Sequence, residues 1–126
     1  MDLSVDQPGG LVTAPANSTH AALASISGGR EESLTALTGT REQQISAAGL
    51  DPRTFALVKI AAMIALDAPP VSYAREIGDA VQDLVTPEDL LGVLRAVAPQ
   101  VGGPRVVAAA PELILALGLS LPESTD

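Results

Sequence analysis

The chain has 126 residues, 47% of them apolar, which is enough for one compact domain with a hydrophobic core. Seven Lys and Arg against fifteen Asp and Glu give a net charge of -8, which repels phosphate backbones and anionic lipid surfaces and sets aside nucleic acid and membranes as partners. With no Cys there is no disulfide framework, no thiolate nucleophile and no thiol metal site.

Residues 1–17 contain Pro8-Gly9-Gly10 and Pro15 without sustained periodicity and read as a flexible N-terminal arm. The start lacks the basic and apolar regions of a secretory signal, and the longest apolar run, residues 60–66, is far short of the roughly 20 residues that span a bilayer. A cytoplasmic protein is expected. Three modest helices are predicted over 18–27, 31–37 and 40–48, the first stopped by Gly28-Gly29 and the last by Gly49.

The second half is more sharply punctuated. Asp51 is a helix N-cap and Pro52 sits at the first helical position, where a missing N–H costs nothing. From 55 to 66 every residue but Lys59 is apolar or small, so this helix is predicted to be buried on nearly all sides. Pro69-Pro70 breaks it. The next helix is predicted over 72–84, with Tyr73, Ile77, Ala80, Val81 and Leu84 on an inward stripe and Arg75, Glu76, Asp79, Gln82 and Asp83 on the other face.

Thr86-Pro87-Glu88-Asp89 opens another helix with a hydroxyl cap, a proline and two carboxylates at the positive end of the helix dipole, and runs to Pro99. Val85 and Leu90 flank the cap at the spacing of a hydrophobic staple. A last segment starts at Pro104, is expected to kink or divide at Pro111, and ends at Gly118. No strand alternation and no internal repeat is present, so the class is all-α. The domain is placed at 18–119, followed by a tail over 120–126. Phe55 and Tyr73 are the only aromatics, so the core is built from side chains that each bury little area, and subunit association is expected to supply part of the stability.

The stretches "LDPRTFALVKIAAMIALDAP" and "VTPEDLLGVLRAVAPQVGGPRVV", with the length of the helix between them, resemble the carboxymuconolactone decarboxylase and alkylhydroperoxidase D-like family over residues 50–119. The resemblance implies a small all-helical subunit of about six helices that assembles into a homo-trimer or hexamer. In the peroxidase branch a Glu on the buried helix, a Cys-x-x-Cys at the start of the next and a His one turn later act together. Laid on this chain they fall near Ala56, in the region Pro69 to Ser72 and at about Glu76, and all four are missing. The resemblance therefore implies a cysteine-free member without thiol peroxidase chemistry, because no other residue cycles through a sulfenic acid. The site His that the decarboxylase branch tends to carry is also replaced.

Glu76, Asp79 and Asp83 share one helix face by spacing. Such a cluster is either an acid–base or cation site or simply the wet side of an amphipathic helix. Glu76 borders the apolar stripe, takes the family's His position and is the candidate catalytic residue. Ser72 and Tyr73, at the same helix start, are candidates to line a pocket, with a core role for the Tyr73 ring as the alternative. Lys59, the third pocket candidate, reads either as an amine nucleophile or as a stem packed on Phe55 with its ammonium reaching solvent or a carboxylate. His20 stands alone and makes no metal site.

No metal and no cofactor is expected. The readings left open are a protein that binds or transforms a small apolar or carbonyl compound by carboxylate acid–base chemistry, lyase- or isomerase-like if it is an enzyme, and a non-catalytic oligomeric scaffold with a closed site. The residues lean toward a non-enzyme.

Overall fold

The structure, a computed structural model, describes residues 17–123. The expected arm over 1–17 lies outside the described residues except for Asn17, and the tail is described as far as residue 123. All regular structure among the described residues is α-helical: α1 Asn17–Ser27, α2 Glu31–Thr35, α3 Arg41–Ala48, α4 Pro52–Leu66, α5 Pro70–Gln82, α6 Pro87–Val101 and α7 Gly103–Ala116. Seven helices lie among the described residues, as many as the segments read from the sequence and one more than the six or so that the resemblance implies.

The described residues divide into two compact units, 17–47 and 48–123. In the first, α1 packs on α2 and the Ser25 and Ser33 hydroxyls hydrogen-bond to each other. Neither helix buries a residue. The start of α3 is held by reciprocal bonds: the Gln43 N–H donates to Thr40 Oγ1 at 3.2 Å and the Thr40 N–H donates to Gln43 Oε1 at 2.9 Å, a capping box. Gly39 precedes it at φ 122, a backbone conformation that L side chains rarely adopt.

The second unit is a four-helix arrangement. α4 lies against α5 and α6, α7 lies against the same two, and α4 touches α7 across the middle. The core between them is Ala56, Ile60 and Ile64 of α4, Tyr73, Ile77 and Ala80 of α5, Leu90 and Leu94 of α6, and Ala109 and Leu113 of α7, with Val85 from the connection. Val85 and Leu90, the predicted staple pair, are both in this cluster.

The caps work as their residue types demand. Asp51 accepts from the Thr54 N–H at 2.8 Å and from Thr54 Oγ1 at 2.9 Å. Thr86 and Asp89 exchange bonds at 3.1 and 2.9 Å in a second capping box. Asp89 also meets Arg53 Nη2 of α4 at 2.7 Å, so one carboxylate both caps α6 and fastens it to α4.

Three prolines behave differently from expectation. α5 starts at Pro70 and not at Ser72: Pro69 takes the extended cap conformation, φ -69 and ψ 156, and Pro70 occupies the first turn, where neither needs an N–H. Pro99 lies inside α6. It removes one bond in the last turn, and the Gly102 N–H still reaches the Ala98 carbonyl at 3.0 Å. Pro111 does not divide α7, since Ala109 and Leu113 on either side of it are anchored in the core and packing carries the helix across one missing bond.

The stripe on α5 also differs. Its inward residues are Tyr73, Glu76, Ile77 and Ala80, whereas Val81 is exposed and Leu84 is 78% exposed. The helix ends at Gln82, and Leu84 adopts φ 67 while the Val85 N–H bonds back to the Ala80 carbonyl at 3.0 Å. This left-handed turn swings Val85 inward and Leu84 out.

A branched L-residue in that conformation costs about 1–2 kcal/mol. Leu84→Gly is expected to stabilise the protein by about 1 kcal/mol after the extra chain entropy of glycine is subtracted. Denaturant unfolding measures it, and an unchanged or lower midpoint would count against strain at this turn.

The caps also set an acid limit. Asp51 is held below the usual carboxylate range chiefly by the Thr54 N–H, and Asp89 chiefly by the Thr86 N–H and then by Arg53. Because both folded-state values are depressed, the stability these groups contribute is complete above the unfolded carboxylate pKa, about 3.9, and is lost as pH falls through the folded values. The melting temperature should therefore drop below about pH 4, and less steeply in Asp89→Asn than in the parent. At neutral pH Thr86→Ala is expected to cost about 1 kcal/mol.

Candidate functional site

The buried stripe of α5 places Glu76 inward, one turn after Tyr73 and one turn before Ala80, and only 6% of it is exposed. It is the one charged residue among the buried positions of the described chain. Burying a carboxylate costs several kcal/mol unless a partner compensates it. That partner comes from α4, whose Lys59 Nζ stands 3.6 Å from Glu76 Oε1.

Lys59 is held in turn by its own helix. Phe55 lies one turn earlier, and the ammonium sits 5.4 Å from the centroid of its ring, within cation–π range. The Lys59 side chain is 39% exposed. Its ammonium thus lies over the Phe55 ring and also reaches the Glu76 carboxylate. The pair has one dry end, at Glu76, and one wet end, at Lys59, so a ligand would approach from the lysine side.

Tyr73 is almost fully buried, and burial first, then the charges of Asp67 and Glu112, push its phenol pKa up. Its charged neighbours Asp67 and Glu112 come from the end of α4 and from α7. Ser72 is half-buried and its N–H donates to the Pro69 carbonyl at 3.0 Å. The structure brings Glu76 and Lys59 together, with Phe55 behind the lysine. Tyr73 shares the helix face with Glu76 but answers to a separate pair of carboxylates.

Glu112 beside Tyr73 has no signal in the sequence, since α5 and α7 meet only in the fold. Asp79 and Asp83 do not share the burial of Glu76: Asp79 is exposed and Asp83 half-buried. The three therefore do not form a single wet stripe. Among the described residues no group of three or more His, Cys, Asp or Glu is placed to hold a metal ion, and no helix is long and apolar enough to cross a membrane. Ala56, where the resemblance puts a glutamate, is fully buried and offers no polar atom.

Fold and site together define a small helical protein with a buried carboxylate paired to a partly exposed ammonium and no thiol. Residues 31–114 match the model of the carboxymuconolactone decarboxylase family, and the chain belongs to that family. A search of curated proteins and a search of solved structures each find no match.

The pair is measurable by itself. Lys59→Met leaves the buried carboxylate without its ammonium and is expected to destabilise, and Glu76→Gln on that background should restore part of the loss. The coupling from the four-variant cycle is expected near 1 kcal/mol, at the upper end for a pair with one exposed partner. Additive single effects would show that the two side chains do not interact in solution.

Proposed function

We propose that this family member binds a small apolar or carbonyl compound and acts on it by acid–base chemistry centred on Glu76. The observation that carries the reading is the burial of Glu76 beside Lys59. Proton transfer by a positioned carboxylate contributes typically 10²–10⁴-fold to a rate. In the proposed step the Glu76 carboxylate takes a proton from carbon next to a carbonyl, and the Lys59 ammonium faces the oxygen on which charge develops. Return of the proton to the same or a neighbouring carbon completes an isomerisation. Tyr73 and Ser72 would line the binding site, and the assembly would be a cytoplasmic homo-trimer or hexamer.

A second reading is a non-catalytic oligomeric scaffold, and the close packing of Tyr73, Ile77 and Ile60 in one core cluster favours it. The two readings part under a screen of small carbonyl compounds for those that raise the melting temperature, since a ligand selective for the native state stabilises it by mass action. Compounds that bind are then incubated in D₂O and followed by NMR. The enzyme reading expects deuterium incorporation, lost in Glu76→Gln while binding persists. The scaffold reading expects neither binding nor exchange.

Peroxide reduction is not expected from either reading. A thiol peroxidase needs a low-pKa thiolate and a second thiol to resolve the sulfenic acid, and this chain has no Cys. Assays with alkyl hydroperoxide and thiol donors in metal-free buffer should stay at the level of a heat-killed control. Turnover lost on Glu76→Gln and kept after chelation would overturn that expectation.

A further inference from the structure

Lys59 is the only lysine of the chain, and its other six cations are arginines. A guanidinium keeps its proton and adds to no carbonyl, whereas a lysine amine relieved of its proton attacks a carbonyl carbon. One side chain is therefore equipped for this reaction, and the fold sets it beside a proton acceptor. Glu76 Oε1 stands 3.6 Å from Lys59 Nζ, the loose spacing at which a nucleophile and its base commonly stand before substrate binds. The Lys59 side chain is 39% exposed, so a small carbonyl compound meets it from solvent.

The burial of Glu76 selects the electrophile. An iminium keeps the positive charge on the nitrogen, so the buried carboxylate keeps its partner. The Phe55 ring, with its centroid 5.4 Å from Nζ, keeps a cation over its face. An acyl group would instead turn the nitrogen into a neutral amide and leave a buried carboxylate uncompensated, a strongly destabilising state. The pair thus suits aldehydes and ketones and disfavours acyl donors.

We propose that Lys59 captures a small aldehyde or ketone as a Schiff base, with Glu76 carrying the protons. This rests on the reading of the pair as a carbonyl site and takes it one covalent bond further. The Glu76 carboxylate takes a proton from the Lys59 ammonium. The amine lone pair then forms the N–C bond while the C=O π pair moves to oxygen, and one nitrogen proton passes to that oxygen. Glu76 returns its proton to the new hydroxyl, which leaves as water as the nitrogen lone pair forms C=N. Ammonium and carbonyl have become iminium and water, Glu76 is ionised again, and nothing is oxidised or reduced. The carboxylate is then placed to take a proton from the carbon next to the iminium, whose positive nitrogen receives the electron pair.

Propanal with cyanoborohydride, which reduces an iminium to a secondary amine, tests the capture in the full chain at neutral pH, with Nα-acetyl-lysine amide in the same mixture as the reference amine. Peptide mass mapping is expected to find the propyl group on Lys59 about 100-fold faster than on the reference, the low end of what positioned proton transfer contributes. Glu76→Gln should bring Lys59 down to the reference rate, with native helix content by circular dichroism. Labelling of the parent no faster than the reference overturns the proposal and needs no variant to fold. Fast labelling that survives Glu76→Gln overturns the part given to Glu76.

Lys59→Arg keeps the charge and removes the amine, which separates this proposal from the reading it rests on. Deuterium exchange into a bound carbonyl compound should be lost in Lys59→Arg. Exchange that persists there overturns the Schiff base and leaves the acid–base reading of Glu76 standing. Fast labelling of a parent that shows no exchange supports the capture and removes the isomerisation. A parent with neither binding, exchange nor fast labelling overturns both.

Discussion

The structure of the second unit depends on one helix that has almost nothing polar to offer water. α4 spends its length on Ala, Val, Leu, Ile and Met, and so its core side must be sheathed by other helices. α5, α6 and α7 supply the sheath, all three in contact with it. The two charged groups that α4 carries set how the neighbours lie. Glu76 of α5 answers Lys59, and Asp89 of α6 answers Arg53. Hydrophobic burial is non-directional and tolerates sliding of one helix along another. Two charge pairs at different heights on α4 do not, and each ties one neighbour to a particular register.

The same arrangement places the candidate site. In the resembling peroxidases a carboxylate on the buried helix works with a His and two thiols on the next. Here the buried helix contributes an ammonium and the next contributes the carboxylate, while the stretch where thiols would stand is given to Pro69 and Pro70, which shape the start of α5. What remains is a carboxylate–ammonium pair with one end in the core and one at the surface. Nucleophilic sulfur chemistry has been lost. Acid–base chemistry has the groups it needs, and the family fold is intact around them.

Features decided within four residues of chain were legible in the sequence. The Asp51 and Thr86 caps, the prolines at first helical positions, the staple of Val85 and Leu90 and the stop at Gly118 all follow from local bonding rules, and all appear as read. α4 was expected to be buried on nearly all sides, whereas only Phe55, Ala56, Ile60 and Ile64 are buried and Val58, Ala62, Ala65 and Leu66 are exposed. The errors came where tertiary packing outweighed a local rule. Pro111 was expected to kink or divide its helix and does not divide it, because the core holds both sides of it. Leu84 was expected inward, but the left-handed turn after Gln82 carries it out.

At the site the division is sharper. Spacing marked Glu76 as the carboxylate to watch and Lys59 as a lysine packed on Phe55 and reaching toward a carboxylate, because i and i+4 neighbours on a helix are fixed by the chain itself. Which carboxylate that lysine meets, and that Glu76 lies inside, depend on how α5 rolls against α4. The charges near Tyr73 depend likewise on where α7 packs. Sequence therefore determined an all-helical member of the carboxymuconolactone decarboxylase family without thiol chemistry, since helix punctuation is local and a missing element cannot be folded into existence. Only the tertiary structure decided that one carboxylate is buried against one lysine, since partners from different helices are joined by packing and by nothing that adjacent residues can encode.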